Sequence, residues 1–540
     1  LRETPEALAR RYVSEGLWSD DSLAGAIDRY LTADPTRAFR VWSETRPFRG
    51  TLGEVYERAR RLAGALHGRG IGPGDVVAFQ LPNWVEAAVT FWGVSLAGAV
   101  LVPVVHFYGP RELGYILRQS GARALVTAAA FGHSDYLAGL EELRPDLPEL
   151  DLVAVVGGSA PPAGAIAFDA LVDEGDPVGG LPDVDLAGPA LVAYTSGTTA
   201  DPKGVVHTHR SIAAEIVQLG DMQPSEAPPL LVGAPVGHAI GMLSGLLLPL
   251  YKGHPVSLID VWDPARVLAA MLEAGLMAGS GSTYFLVSLL DHPDCGAEHH
   301  RLMTRIGLGG APVPEAVAER AESLGIAIVR SYGSTEHPSI TGAWHEDPQE
   351  KRIRTDGHPL PGVEVRIVDP GGRDLGAGEP GEILSRGPDL FGGYTDPALT
   401  ESIVDVDGWY HTGDIGVLDA DGWLTITDRT SDVIIRGGEN ISAAEVEGVV
   451  ARMPGVAEVA VVAAPDLRMG EHACAFLRMQ PGADAPDLDT LRRHMEGAGM
   501  ARQKWPEEIR VVDDLPRTPS GKVKKFVLRD RLRGEAGDDG

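Results

Sequence analysis

The chain is 540 residues long, 44% apolar and 23% charged, the profile of an ordinary soluble globular protein with room for more than one domain. Its formal net charge of −29 opposes nucleic acid or an anionic membrane surface as a bulk partner, since both would repel it. Two cysteines far apart in sequence, Cys295 and Cys474, give no disulfide framework and favour a reducing, cytoplasmic setting. The set His292, Cys295, His299 and His300 lacks a second spaced pair and lies in a Pro- and Gly-containing loop, which argues against a metal centre.

Residues 1–11 are charged and carry no apolar core, so no secretory signal is expected there. The stretch 87–108 is uncharged and long enough to span a bilayer. Gly98 and Pro103 interrupt it, however, and its second half is β-branched, so it reads as a buried helix leading into a buried strand, with no transmembrane segment expected. Around it the pattern alternates. Residues 62–66 read helical, 75–80 strand, 84–96 helical and 100–105 strand, with further strands at 124–126, 152–156, 255–259 and 327–329. Such alternation predicts an α/β fold with mostly parallel sheets.

From Gly362 the texture changes to short strands and turns, 363–368 and 382–385 about a Gly371-Gly372 turn, which predicts a β-rich subdomain. A composition shift follows Asp428-Arg429. Beyond it, strands at 432–435, 456–462, 473–477 and 509–512 and helices at 443–451 and 488–497 suffice for a small α+β domain. The expected division is 1–430 and 431–540, with 534–540 as an unstructured tail.

The stretch 194–204, Tyr-Thr-Ser-Gly-Thr-Thr-Ala-Asp-Pro-Lys-Gly, lies between two apolar runs. Its glycines free backbone N–H groups to turn toward an anion, its hydroxyls donate, and Lys203 adds a compact positive charge, the chemistry of a loop that wraps polyphosphate. It is not a Walker A loop, because Pro202 and Gly204 flank the lysine where Gly and Ser or Thr are required. Cationic side chains here are mostly arginine. Lysine occurs only at 203, 252, 351, 504, 522, 524 and 525, and Lys203 and Lys522 both fall inside motif-like segments. A second polar element, Ser331-Tyr332-Gly333-Ser334-Thr335-Glu336, follows the apolar run 326–329, where ligands bind in open α/β sheets.

Taken in order, these segments resemble the adenylate-forming superfamily of acyl-CoA synthetases, peptide-synthetase adenylation domains and beetle luciferases. Further elements carry the likeness: Gly309-Gly310-Ala311-Pro312, Trp409-Tyr410-His411-Thr412-Gly413-Asp414, DRTSDVIIRGGENISAAEVE at 428–447, and Pro516-Arg517-Thr518-Pro519-Ser520-Gly521-Lys522. The resemblance implies a large N-terminal domain and a small mobile C-terminal domain, with ATP, Mg²⁺ and CoA as cofactors. Thr195, Ser196, Gly197, Thr198, Thr199 and Lys203 would cradle phosphates. Gly309, Gly310, Ala311, Ser331, Tyr332, Gly333 and Thr335 would border adenine, and Glu336 with Thr198 would hold the metal.

By the same resemblance Asp414 and Arg429 would bind the ribose, Gly437 and Gly438 would line the pantetheine tunnel, and Lys522 would meet the α-phosphate. Ser431 stands where the family usually has Asp or Lys at the hinge. His238, in Pro235-Val236-Gly237-His238-Ala239-Ile240-Gly241, would border the acid and the CoA tunnel. Gly237, Gly279, Gly281 and Gly309 suggest a roomy apolar pocket suited to a medium-chain, alicyclic or aromatic acid. The implied activity is an AMP-forming acid–CoA ligase. A carrier-loading acyl-AMP ligase, a luciferase-type oxygenase and a non-catalytic binding protein are the alternatives, and a homodimer stays open.

Overall fold

The apolar run at 87–108 forms a helix, Val85–Leu96, and a strand, Val100–Val104, and every residue of both is buried. No helix among the described residues is long and apolar enough to cross a membrane. The helix has no polar face, so it lies inside the protein, where burying each large aliphatic or aromatic side chain contributes about 1.5–3 kcal/mol. This computed structural model describes residues 1–158, 160–195, 202–224, 226–310, 313–429, 432–436, 439–466, 469–498, 500, 502–517 and 523–538.

Those residues divide into two compact units, one of 1–353, 357–364 and 386–410 and one of 354–356, 365–385 and 411–540. In the first unit an eight-stranded sheet runs in the order Gly393–Tyr394, Lys203–Thr208, Pro189–Thr195, Val100–Val104, Val76–Gln80, Ala124–Ala128, Leu152–Val156, Ile166–Ala167. The six strands from Pro189–Thr195 onward are parallel, Lys203–Thr208 runs against them, and Gly393–Tyr394 pairs antiparallel with Lys203–Thr208 at the edge. A second sheet joins Leu231–Val232, Val256–Ile259 and Ala38–Trp42 in parallel and adds Phe48–Thr51 antiparallel. A third pairs Arg305–Leu308 with Ala327–Tyr332 in parallel and continues antiparallel through Thr341–Gly342 and His358–Pro359.

Local chemistry sets the element ends. Thr51 and Glu54 form a reciprocal capping box that opens the helix Leu52–His67. Gly121, Gly253 and Gly275 take left-handed conformations that stop the helices ending at Ser120, Lys252 and Ala274. Asn83, buried after the strand Val76–Gln80, donates to the carbonyls of Ala234 (3.0 Å) and Ile259 (3.1 Å) and accepts from the N–H of Val236 (2.9 Å). One side chain thus ties the end of the first sheet to the second.

The second unit contains all but the last residue of the strand Gly381–Arg386, all but the first of Tyr410–Leu418, the strand Leu424–Arg429, and a five-stranded sheet of Glu439–Ile441, Ile434–Arg436, Gly470–Met479, Val456–Asp466 and Glu508–Val511. The helices Ala443–Val450 and Leu488–Gly497 cover one apolar cluster, built on Ile434, Val446, Val461, Leu477 and Leu491. The tail expected at 534–540 is instead helical as far as Asp538, within Lys525–Asp538. Leu528 and Leu532 anchor that helix against Val462, Cys474 and Phe476, and this docking overrides the weak helix propensity of the glycines.

Candidate active site

The polyphosphate-type stretch is a β-hairpin connection. Pro189–Thr195 and Lys203–Thr208 pair antiparallel with Tyr194 opposite Gly204 and Thr195 opposite Lys203. Lys203 therefore stands at the base of the loop beside Thr195. Ser196, Gly197, Thr198 and Thr199 lie outside the described residues, as do Ala311, Gly437, Gly438, Ser431 and Lys522.

A strand that sequence reasoning missed holds this hairpin from its other edge. Gly393–Tyr394 pairs antiparallel with the Lys203 strand, with Val205 opposite Tyr394 and Val206 opposite Gly393. The N–H of Thr395 donates to the Gly204 carbonyl at 2.9 Å, and the N–H of Gly392 to that of Val206 at 2.7 Å. Gln119 donates from Nε2 to Thr395 Oγ1 at 2.6 Å and accepts from the Tyr194 hydroxyl, so the two edges of the hairpin share one polar bridge.

The same segment grips the Glu336 turn. The Phe391 N–H donates to the Glu336 carbonyl at 2.8 Å, and the Tyr394 hydroxyl donates to Glu336 Oε1 at 2.7 Å. The Lys203 ammonium lies 5.6 Å from the centroid of the Tyr394 ring, within cation–π range. Burial first, then the neighbouring Glu336 charge, pushes the Tyr394 phenol far above its ordinary range, so it stays a proton donor. Oε2 of Glu336 accepts no hydrogen bond from a described residue.

Behind this turn lies a wholly buried polar cluster. His207 Nε2 bonds the Thr335 carbonyl at 2.7 Å, which requires the ring N–H on that side. Burial pushes the His207 pKa down and so favours the neutral ring. His337 Nε2 and Asp389 Oδ1 are 3.1 Å apart, both side chains fully buried. The Ser339 N–H donates to Asp389 Oδ2 (3.3 Å), and its hydroxyl donates to Glu215 Oε1 (2.9 Å). Burial and the Asp389 charge raise the Glu215 pKa well above its ordinary value and so favour the protonated acid.

Tyr332 is buried at the end of its strand, Ala327–Tyr332, and pairs with Thr341. Gly333 follows it where a Cβ would fall 1.9 Å from the Pro338 carbonyl oxygen, so the turn into Glu336 admits glycine alone. Gly309 also passes close to Ser331, its Cβ position lying 2.8 Å from Ser331 Oγ, and Gly310 has φ +74°.

Part of the pocket inference fails. A Cβ on Gly237 would fall 2.4 Å from the Val104 carbonyl, so this glycine lets the His238 turn pack on the end of a strand and adds no room for an acid. Gly281 and Gly310 are different: their Cβ positions face Phe285 (3.5 Å) and Ile240 (3.9 and 3.3 Å). His238 itself caps the short helix Ala239–Met242, whose Ile240 faces those glycines.

In the second unit Asp414 and Arg429, the two expected ribose contacts, are cross-strand partners in the hairpin of Tyr410–Leu418 and Leu424–Arg429. Gly413 before Asp414 has φ +70°, a local irregularity within the strand, and the Asp414 N–H is held by Thr412 Oγ1 at 3.1 Å beside the buried carboxylate.

Known proteins carry the same organisation. The family model described as AMP-binding enzyme matches residues 29–395, and that of the AMP-binding enzyme C-terminal domain matches 445–522. A medium-chain fatty-acid–CoA ligase of Escherichia coli is 32% identical over 96% of this chain and 92% of its own length. A 3-[(3aS,4S,7aS)-7a-methyl-1,5-dioxo-octahydro-1H-inden-4-yl]propanoyl:CoA ligase of Rhodococcus jostii is 37% identical over 89% of this chain and 94% of its own. Among solved structures, ATP-bound MatB from Rhodopseudomonas palustris superposes with a TM-score of 0.84 at 28% identity, covering 94% of this chain and 99% of that one.

The chain belongs to the AMP-binding enzyme family. It is an adenylate-forming enzyme, an AMP-forming acid–CoA ligase that uses ATP and CoA.

Proposed function

We propose that the acid activated here is of medium size and largely apolar, a medium-chain, alicyclic or aromatic carboxylic acid. The observation that carries this reading is the setting of Gly281 and Gly310, whose side-chain positions open onto the apolar Ile240 and Phe285. Such walls favour an apolar tail, and a second carboxylate buried among them would be costly. Relatives named for medium-chain fatty acid, a ring-bearing propanoate, feruloyl and salicylyl substrates support the same class.

The chemistry follows from what a carboxylate lacks. Its oxide is too poor a leaving group for acyl transfer. Attack of the carboxylate oxygen on the α-phosphorus of ATP expels pyrophosphate, and AMP then leaves when the CoA thiol attacks the acyl carbon. The first step calls on positioning and charge stabilisation more than on proton transfer. In this reading Lys203, Thr195 and the hydroxyls of 196–199 hold the departing pyrophosphate, and Tyr332 packs on adenine beside Gly309, Gly310 and Ser331. Asp414 and Arg429 take the ribose, Lys522 offsets charge at the α-phosphate, Gly437 and Gly438 admit pantetheine, and His238 borders the acid.

Mg²⁺ suits Glu336, a carboxylate with Oε1 fixed by a phenol and Oε2 left for a hard cation, with Thr198 as a second oxygen. When bound, such a cation neutralises phosphate charge. The test is acid-dependent pyrophosphate release across an acid panel, with thioester measured in the presence of CoA. Octanoate, cyclohexanecarboxylate and cinnamate are expected to outpace acetate and malonate, and preference for either of the last two would overturn the substrate class.

A further inference from the structure

Tyr394 touches both charged groups assigned to the triphosphate end of the site. Its ring lies beneath the Lys203 ammonium at 5.6 Å, and its hydroxyl holds Glu336 Oε1 at 2.7 Å. Without it, a flexible four-carbon ammonium and a carboxylate of opposite charge would be free to pair with each other. An ion pair of that kind would have to be broken before polyphosphate and a cation could enter. The tyrosine keeps the two apart and gives each a partner that is easily displaced or retained: a π-face for the cation, one hydrogen bond for the anion.

Its own placement is unusually well determined. Backbone pairing with Val205, the 2.8 Å hydrogen bond from its N–H to Thr400 Oγ1, and edge-on packing of its ring against Phe391 (centroids 5.1 Å apart) fix the residue from three sides. The segment 389–395 also carries Asp389 to His337, the Phe391 N–H to the Glu336 carbonyl and the Thr395 N–H to Gly204. A single strap therefore sets both the lysine strand and the glutamate turn, and Tyr394 is the point where it reaches the charged atoms.

We propose that Tyr394 is a positioning residue that couples the polyphosphate lysine to the cation-holding glutamate, setting Lys203 and Glu336 apart and pre-aimed for nucleotide. The proposal rests on the roles assigned above to those two side chains. It assigns a function to a residue that makes no chemical step of its own. Tyr394→Phe keeps the ring under Lys203 and removes only the hydroxyl, so it should weaken ATP binding in EDTA less than removal of the whole ring does. The same variant should raise the Mg²⁺ concentration needed for half-maximal tightening of ATP binding about tenfold, the loss expected of one hydrogen bond to a charged group. Tyr394→Leu removes the ring as well and should also weaken ATP in EDTA several-fold.

Titration calorimetry of ATP binding to the full chain, with Mg²⁺ and with EDTA, reads these effects without turnover. Mg²⁺ titrations of acid-dependent pyrophosphate release provide the kinetic counterpart. In a Glu336→Gln background, Tyr394→Phe should shift the Mg²⁺ dependence by less than about twofold, because the hydroxyl acts through that carboxylate. A Tyr394→Phe enzyme with an unaltered Mg²⁺ dependence, or equal effects in both backgrounds, overturns the proposal even if Tyr394→Leu fails to fold. Should the wild-type chain release no pyrophosphate with any acid, the calorimetric arms still decide the role of Tyr394 and leave only the substrate reading to fall.

Discussion

Thr395 donates its backbone N–H to the carbonyl of Gly204 at 2.9 Å, and a Cβ on Gly204 would stand 2.7 Å from the Thr395 hydroxyl and 2.8 Å from its methyl. On the other side the same Cβ would be 3.0 Å from the Tyr194 ring. Glycine after Lys203 is thus needed to let the third strand close on the hairpin.

Gly204→Ala should destabilise the protein by about 1–3 kcal/mol, the usual cost of overpacking, although Ala in a strand otherwise gains over Gly. Thermal melting followed by near-ultraviolet circular dichroism measures this. Adding Thr395→Ala removes the hydroxyl and methyl and should recover part of the loss. A single variant that melts with the parent would show that the strand is free to shift.

Glu215 lowers stability as pH rises from the acid range. Its folded pKa lies well above that of the unfolded carboxyl, about 4.3, because it is buried beside Asp389. Below the unfolded value both states hold the proton and nothing is lost. Above it the unfolded chain releases a proton that the native protein retains, so stability falls as pH rises. Glu215→Gln keeps the shape and the donor but cannot ionise. The variant should match the parent near pH 4, then exceed it in melting temperature by a margin that grows toward pH 8, measured by calorimetry at one scan rate.

His106 acts in the opposite direction. Its ring stands against Phe107 and Phe131, with centroids 5.0 and 5.5 Å away, and its Nδ1 is buried without a hydrogen-bond partner. Burial pushes its pKa down to about 4, against an opposing pull from Asp260. The stability it contributes is complete above the unfolded value of about 6.5 and is lost as pH falls through 4, since the unfolded chain takes up the proton first. His106→Gln should melt less steeply than the parent across that interval and in parallel with it above pH 7.

Much of this architecture was legible because its signals are local. Gly98 divides the apolar run between a helix and a strand, and Tyr332-Gly333 marks a strand end by composition alone. The third strand of the Lys203 hairpin was not legible. Gly393–Tyr394 has no periodicity to detect at two residues long, and its partners Val205 and Val206 are remote in sequence. Tyr394, Gln119 and Asp389 were missed for the same reason, each gaining its role only from a distant neighbour. Gly237 shows the converse error. Smallness in sequence does not say whether a missing side chain leaves space for a ligand or for a backbone, and here it is the Val104 backbone.

Lys522, on the resemblance of its segment to the family's lysine loop, should serve adenylation and not thioester formation. Lys522→Ala is expected to lower acid-dependent pyrophosphate release by about a hundredfold or more, the scale at which one electrostatic contact to a developing charge acts. Thioester formation from supplied acyl-adenylate and CoA should keep a rate within a few-fold of the parent. Rapid-quench assays of each half-reaction separate the two, and equal losses in both would contradict a lysine confined to the first step.

Ile240 offers the sharpest handle on the choice of acid. Gly281 and Gly310 cannot be enlarged without strain, since both have positive φ, +114° and +74°. Ile240 faces both and sits on the short helix Ala239–Met242, where alanine is a good helix former. Ile240→Ala removes three carbons from that wall, at about 0.8 kcal/mol for each methylene an acid can bury in their place. The ratio of kcat/KM for a longer or bulkier acid to that for a shorter one should rise by about an order of magnitude. Because the adenylating groups are untouched, kcat with the preferred parent acid should change much less than its KM. A panel of straight-chain and ring-bearing acids, assayed by pyrophosphate release at saturating ATP, decides it: uniform loss across the panel would place Ile240 outside the acyl pocket.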